Sequence, residues 1–269
     1  MTGQTVNAVL GAALAYPERW GWPVHALSGK AATLRDWPNA ASTDPAVIRA
    51  WWAERPTANV GIVTGPRSGL AVLDVDPRNG GAESLATLRR VIDVPPTLAV
   101  RTGSGGLHLF YAHPSRPLTC GANALGKGLD VKADGGYVVA APSVHPDTGQ
   151  RYRWVNPGTE IAPWPLAFDE VRAAMAAERE AARRARYGGR APAGAPTGRG
   201  AGVVALARWV EGLAPGGRNS GLFWACCQAL RNGATNLGPL YRAAMAAGLS
   251  AFEAERTIAS AERTVGGAA

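Results

Sequence analysis

The sequence has few cysteines and no long apolar run. Cys120 and the adjacent pair Cys226 and Cys227 provide neither a CxxC zinc motif nor an even-numbered disulfide set, so we expect them to be small core residues. No stretch reaches the roughly 18 uninterrupted apolar residues of a membrane span, and no basic segment followed by an apolar one opens the sequence. The sequence thus predicts a cytoplasmic protein without a membrane partner.

Lysine is also scarce, although the chain is basic overall. Its 269 residues include 28 Lys and Arg against 20 Asp and Glu, which gives a net charge of +8. A basic balance favours an anionic partner such as nucleic acid or a nucleotide. The only lysines are Lys30, Lys127 and Lys132, and we expect them at positions that need a compact ammonium group.

The run from Gly69 to Pro77 predicts a buried strand that ends in two acids. Side chains alternate along a strand, so Asp74 and Asp76 are expected to point the same way. Two neighbouring carboxylates repel each other and are costly to desolvate, which favours a positive group between them. A divalent metal is the simplest candidate. The alternatives are that the pair caps the following turn or faces solvent.

A glycine-rich turn, Gly103 to Gly106, separates two predicted strands, 97–102 and 107–111. Backbone amides in such a turn can approach a phosphate closely, although an ordinary hairpin turn has the same composition. His108 follows the turn and is either a structural residue or a phosphate donor. Asp130, in the apolar-acid-apolar run 128–132, provides a third acid, and three carboxylates from two strands are what a two-metal phosphoryl-transfer site requires.

The rest of the chain divides by composition. A helix is predicted over 3–15, ended by Pro17, and a second helix starts at 42–45 with a capping side chain and a proline. We predict a core domain over residues 1–165, a helix and a Gly/Pro/Ala linker over 166–202, and an all-helical bundle over 203–269. The helices of the bundle are predicted at 203–213, 219–232, 238–247 and 251–265.

Four basic residues are candidates for contacting nucleic acid or phosphate. Arg151 and Arg153 alternate with aromatic residues, a pattern that suits strand binding by charge and stacking but is also typical of an exposed edge strand. Arg218 opens the second helix of the bundle, where a phosphate could meet the helix N-terminus. Lys30 lies in a predicted turn after a short strand.

Taken in order, the motifs resemble the bifunctional primase/polymerase (prim-pol) domains of plasmids and phages, within the archaeo-eukaryotic primase superfamily. The resemblance covers residues of about 7–165. The matching segments are Leu73-Asp74-Val75-Asp76-Pro77, Thr102-Gly103-Ser104-Gly105-Gly106-Leu107-His108, Leu129-Asp130-Val131-Lys132 and Gly135-Gly136-Tyr137-Val138-Val139-Ala140-Ala141-Pro142-Ser143.

The resemblance implies an α/β (α+β) catalytic core with an RRM-like mixed sheet, followed by a small all-helical domain. It implies that Asp74, Asp76 and Asp130 bind two divalent ions, Mg²⁺ or Mn²⁺. His108 and the turn Ser104, Gly105 and Gly106 are expected to hold the triphosphate of the incoming nucleotide. Lys132 and Ser143 match positions near that nucleotide.

The activity implied is that of a nucleotidyltransferase that makes and extends primers on a single-stranded DNA template from dNTPs or NTPs, with Asp74, Asp76, Asp130 and His108 as catalytic residues. The helical bundle could hold the nucleotide that starts a chain. Two alternatives stay open: a metal-dependent nuclease or phosphohydrolase, and a non-catalytic DNA-binding initiator module. No GxxxxGK[ST] motif occurs, so a replicative helicase partner would be a separate chain or another part of a longer one.

Overall fold

The computed structural model describes residues 2–187, 191–196 and 202–266. It contains two compact units, Met1–Ala176 and Ala177–Ala269. Parts of the linker predicted within 166–202, namely 188–190 and 197–201, lie outside the described residues. No helix among the described residues is long and apolar enough to cross a membrane.

The first unit combines strands and helices. Its strands are β1 (Val24–Ser28), β2 (Ala31–Ala32), β3 (Asn59–Val63), β4 (Leu70–Val75), β5 (Ala99–Arg101), β6 (Leu107–Ala112), β7 (Leu129–Lys132), β8 (Tyr137–Val139), β9 (Arg153–Trp154) and β10 (Ala162–Pro163). Its helices are α1 (Thr2–Trp20), α2 (Trp37–Ala40), α3 (Pro45–Glu54), α4 (Gly81–Val91) and the start of α5 (Leu166–Tyr187), and a 3-10 turn covers Pro77–Asn79.

The strands form two sheets. One has the order β2-β1-β3-β8, and the other has the order β7-β4-β6-β5-β9, with β10 added in parallel beside β6. All pairs other than β10 with β6 are antiparallel. The prediction of a mixed α/β core followed by helices is therefore confirmed.

Strand β4 is buried on both faces. Leu70 and Val72 belong to one apolar core, whereas Leu73 and Val75 belong to the other. Asp74 alternates with Val72, so it points to the same face as Leu70 and Val72 at the end of the strand where the core opens. The antiparallel register then places the residues opposite Asp74 on that same face.

Two local predictions are corrected. Helix α1 does not end at Pro17 but continues to Trp20, because Tyr16 and Trp20 stack on each other and pack in the first core. Cys120 is exposed, whereas Cys226 and Cys227 are buried as expected. The next residue, Gly121, forms an isolated bridge with Val131 of β7. The Sγ of Cys120 accepts a hydrogen bond from the Ala133 amide at 3.1 Å.

The second unit contains the end of α5 and the helices α6 (Val203–Glu211), α7 (Arg218–Arg231), α8 (Gly238–Ala246) and α9 (Ala251–Gly266). Helices α6 to α9 each begin within one residue of the predicted position. They surround an apolar core of their own, with Leu206, Leu222, Trp224 and Leu240 fully enclosed.

Candidate active site

Strand pairing brings Asp74, Asp130 and His108 into one row across the sheet. Asp74 of β4 lies opposite Asp130 of β7 and opposite His108 of β6. The two carboxylate side chains are partly exposed, at 26% and 30%. Directly opposed like charges destabilise a sheet unless a counter-charge is present.

Lys132 provides this counter-charge. Its Nζ lies 3.0 Å from Asp130 Oδ2 and 4.0 Å from Asp74 Oδ2. Burial alone would lower the pKa of Lys132, but the hydrogen bond with Asp130 and the charges of both acids raise it overall. Lys132 therefore stays charged and neutralises part of the acid pair.

Asp76 makes a different set of bonds. Its carboxylate accepts hydrogen bonds from the Arg78 amide at 3.0 Å, Arg78 Nε at 3.3 Å and Asn79 Nδ2 at 2.8 Å. Burial would raise the pKa of Asp76, yet these bonds and the Arg78 charge lower it. Asp76 thus caps the turn that follows β4, which is one of the alternatives to metal binding. The sequence predicts a positive group between Asp74 and Asp76, but the positive group in the structure, Lys132, lies between Asp74 and Asp130.

His108 is a buried residue, only 5% exposed. Its Nε2 lies 3.6 Å from Asp74 Oδ1, and its buried Nδ1 has no hydrogen-bond partner among the described residues. Burial lowers the pKa of His108, with the Asp74 charge acting against it. The imidazole is therefore neutral near pH 7 and offers a single N–H donor.

The glycine-rich turn uses two of its amides internally. The Gly105 amide donates to the Thr102 carbonyl at 3.0 Å, and the Gly106 amide donates to Thr102 Oγ1 at 2.9 Å. Any side chain at Gly106 would collide with the Val75 carbonyl, and Gly105 has a φ of +90°. Gly105 and Gly106 thus shape the turn, whereas Thr102 and Ser104 face the cavity with hydroxyl groups 3.0 Å apart.

A cavity of about 420 Å³ lies beside these groups. Asp130 is not among its lining residues but is bonded to Lys132, which is. Polar and aromatic residues line it: Lys30, Trp37, Asp74, Asp76, Arg78, Thr102, Ser104, His108, Lys132, Tyr137, His145 and Tyr152. Among them, six residues have no role predicted from the sequence: Trp37, Arg78, Thr102, Tyr137, His145 and Tyr152.

Other expected site residues lie elsewhere. Ser143 is fully buried, and its Oγ accepts a hydrogen bond from the Val60 amide at 3.0 Å, so the structure does not bring it to the cavity. Arg151 Nη1 donates to the Pro142 carbonyl at 3.3 Å, and Arg153 is exposed on β9 opposite Arg101. In the second unit, Arg218 Nε donates to the Leu213 carbonyl at 3.3 Å.

The acidic side chains offer the oxygen donors that Mg²⁺ and Mn²⁺ prefer. Asp74 and Asp130 already bracket a positive charge, that of Lys132, whereas Asp76 would have to exchange its bonds to Arg78 and Asn79 for a cation. In the part of the chain that is described, no group of three or more His, Cys, Asp or Glu side chains is arranged to bind a metal ion. The donor set fits a divalent cation, with Asp74 and Asp130 as the pair in place.

Comparisons with known proteins bear on the first unit. A family model described as "Bifunctional DNA primase/polymerase, N-terminal" matches residues 13–167, more than half of the chain. A search of curated proteins gave no match. Seven chains of solved structures match, among them one titled "Crystal structure of primase RepB'", which is 13% identical. The match covers 98% of this chain and 97% of that chain with a TM-score of 0.34, too low to support any further argument.

Proposed function

Because the chain belongs to the bifunctional DNA primase/polymerase family, we propose that it synthesises and extends primers on a single-stranded DNA template. The observation that carries the proposal is the row Asp130, Asp74 and His108, formed by three adjacent strands beside a cavity that also contains basic and hydroxyl groups. We interpret the β4 sheet as the RRM-like sheet of the family and residues 1–165 as the catalytic domain.

Asp74 and Asp130, joined by Asp76, would hold two divalent cations, Mg²⁺ or Mn²⁺. When bound, such ions activate the primer 3′-hydroxyl and neutralise the triphosphate. The chain's own contribution is positioning and charge. Register fixes Asp74 and Asp130 opposite each other, so both carboxylates would be available to hold a cation in place of the Lys132 ammonium.

The nucleotide triphosphate, from a dNTP or an NTP, would contact donors on the other side of the row. Neutral His108 donates one N–H to a phosphoryl oxygen, and Thr102 and Ser104 donate hydroxyl groups from the turn. Lys132 offers its ammonium to the same anion once its bond to Asp130 is exchanged. Gly105 and Gly106 contribute by holding the turn in this shape, and Ser143 contributes through its bonds to Val60.

The helical unit is proposed to support chain initiation. Arg218 would bind a phosphate through its Nη groups, while its Nε stays bonded to the Leu213 carbonyl. If Arg218→Ala left primer synthesis unchanged and reduced only extension, this role for the helical unit would be refuted.

The direct test is incubation with a single-stranded template, labelled nucleotides and Mn²⁺, with and without a primer. Wild-type protein is expected to give products in both reactions, and the Asp74→Ala/Asp76→Ala double variant in neither. Cleavage of DNA without added nucleotides would instead favour a nuclease. Undiminished replication activity in the double variant would favour a DNA-binding initiator module.

A further inference from the structure

Two hydrogen-bond donors meet inside the cavity: Lys30, a candidate phosphate contact from its sequence, and His145, for which the sequence predicts no role. Lys30 Nζ lies 3.4 Å from His145 Nε2. Lys30 is exposed and comes from the turn between β1 and β2, whereas His145 comes from the loop after β8 and is only 1% exposed. Both side chains line the cavity.

The loops that carry these residues are tied together. Asn59, buried in β3, donates from Nδ2 to the Gly29 carbonyl at 2.8 Å and to the Val144 carbonyl at 2.7 Å. Its Oδ1 accepts from the Val144 amide at 2.9 Å. Asn59 thereby holds Gly29, the residue before Lys30, and Val144, the residue before His145. The positions of the two donors are therefore set by hydrogen bonds of the fold.

The hydrogen bonds of His145 identify which nitrogen carries its proton. The Asp147 amide donates to Nδ1 at 3.2 Å, so Nδ1 is the acceptor. A neutral imidazole has only one acceptor nitrogen, and Nε2 must therefore bear the hydrogen. Burial and the Lys30 charge lower the pKa of His145, which keeps the ring neutral. Within residues 2–187, 191–196 and 202–266, the Lys30 ammonium contacts no acceptor oxygen, so two N–H donors face each other and neither has an acceptor at this contact.

We propose that Lys30 and His145 form a phosphate-oxygen subsite in the cavity, in addition to the donors Thr102, Ser104 and His108. Arg78, which lines the same cavity, adds positive charge on this side. The occupant is a phosphate group, either the triphosphate of the nucleotide or a phosphodiester of a DNA strand. Only the choice between these two occupants rests on the proposed function.

The test measures binding without divalent metal, using the full chain in the presence of a chelator. Tripolyphosphate is titrated by calorimetry, and a labelled single-stranded oligonucleotide by fluorescence anisotropy. The variants are Lys30→Met, Lys30→Arg and the control Lys127→Met, which removes the same charge at an exposed residue outside the cavity lining. Because Lys30 is exposed, its substitution removes no core contact.

Lys30→Met is expected to weaken binding of one probe by about tenfold or more, since a bond to a charged group is lost. Lys30→Arg should retain part of the affinity, and Lys127→Met should change it less than about twofold. Weaker binding of tripolyphosphate assigns the subsite to the triphosphate, and weaker binding of the oligonucleotide assigns it to the strand. Equal affinities of Lys30→Met and Lys127→Met for both probes would overturn the proposal.

A second measurement reads the donor pair directly. Long-range ¹H–¹⁵N correlation spectra of wild-type protein should show His145 as the Nε2–H tautomer, and an Nδ1–H tautomer would overturn the proposal. Failure of primer synthesis, with Lys30-dependent phosphate binding intact, would refute the polymerase function and leave the subsite standing.

Discussion

Asp74 and Asp130 lie directly opposite each other on adjacent antiparallel strands. The sheet thus holds two carboxylates at a distance where like charges repel, and a single ammonium group, that of Lys132, contacts both. This arrangement favours any cation that can replace Lys132, which makes the acid pair suited to binding a metal.

Lys132→Met should make the protein less stable without metal and more responsive to it. Loss of the ammonium leaves the acid pair unneutralised, which we expect to lower the unfolding free energy by about 1 kcal/mol. Mn²⁺ should raise the melting temperature more in this variant than in wild type, because no internal cation competes. Thermal melts in chelator and in Mn²⁺ measure both effects. A response equal to that of Lys127→Met would contradict the role given to Lys132.

Asp130→Asn should abolish catalysis while preserving the fold. The Asn123 amide donates to Asp130 Oδ1 at 2.8 Å, and an amide oxygen can accept that bond. Relief of the repulsion with Asp74 offsets the weaker bond to Lys132, so the melting temperature should change little. Primer extension is expected to fall about 100-fold or more, because several kcal/mol of transition-state stabilisation is lost. Asp93→Asn, at an exposed position outside the cavity lining, is the control and should extend primers normally.

Asp76→Asn should separate capping from metal binding. Asparagine can still accept from the Arg78 amide, so the 3-10 turn should persist and the unfolding free energy should fall by less than about 1 kcal/mol. The neutral side chain is a poor ligand for hard cations, and Mn²⁺ binding followed by electron paramagnetic resonance should weaken. Unchanged Mn²⁺ affinity together with a destabilised fold would show that Asp76 only caps the turn.

We expect the protein to lose stability in mild acid because of His25. It is fully buried between Trp37 and Tyr137, both ring nitrogens lack partners among the described residues, and burial lowers its pKa to about 4. Between pH 6.5 and 4 the unfolded chain binds a proton that the folded chain does not, so stability falls as pH falls.

From pH 7 to 5, His25 should account for about 2 kcal/mol of this loss. Urea unfolding of wild type and His25→Phe at both pH values measures it, and the variant should lose less stability. Identical pH dependence in the two proteins would exclude His25 as the cause.

The acids and the histidine that meet in one row were singled out from the sequence, but not all of their contacts could be predicted. Alternation along a strand predicted that Asp74 shares a face with Asp76, and the recurrence of an acid at Asp130 predicted a third carboxylate. It did not reveal that Asp76 would bond Arg78 and Asn79, because turn capping and metal binding use the same residue types.

The glycine-rich turn and the Lys30–His145 pair show why the rest was harder to foresee. A Thr102 hydroxyl competes with phosphate for the Gly106 amide, and the sequence alone does not say which acceptor wins. Lys30 and His145 are 115 residues apart, and Asn59 helps to bring them together by bonding to both of their loops. No local pattern records such a long-range contact.

The antiparallel register also limits how this chain can change in length. Neighbouring residues of β7 face opposite sides of the sheet, so a single residue inserted between Leu129 and Asp130 would turn that carboxylate into the apolar core and put the inserted residue in its place. Insertions in the segment 113–128 between β6 and β7 avoid this exchange. Changes of length between β6 and β7 should therefore be tolerated in that segment and not inside β7.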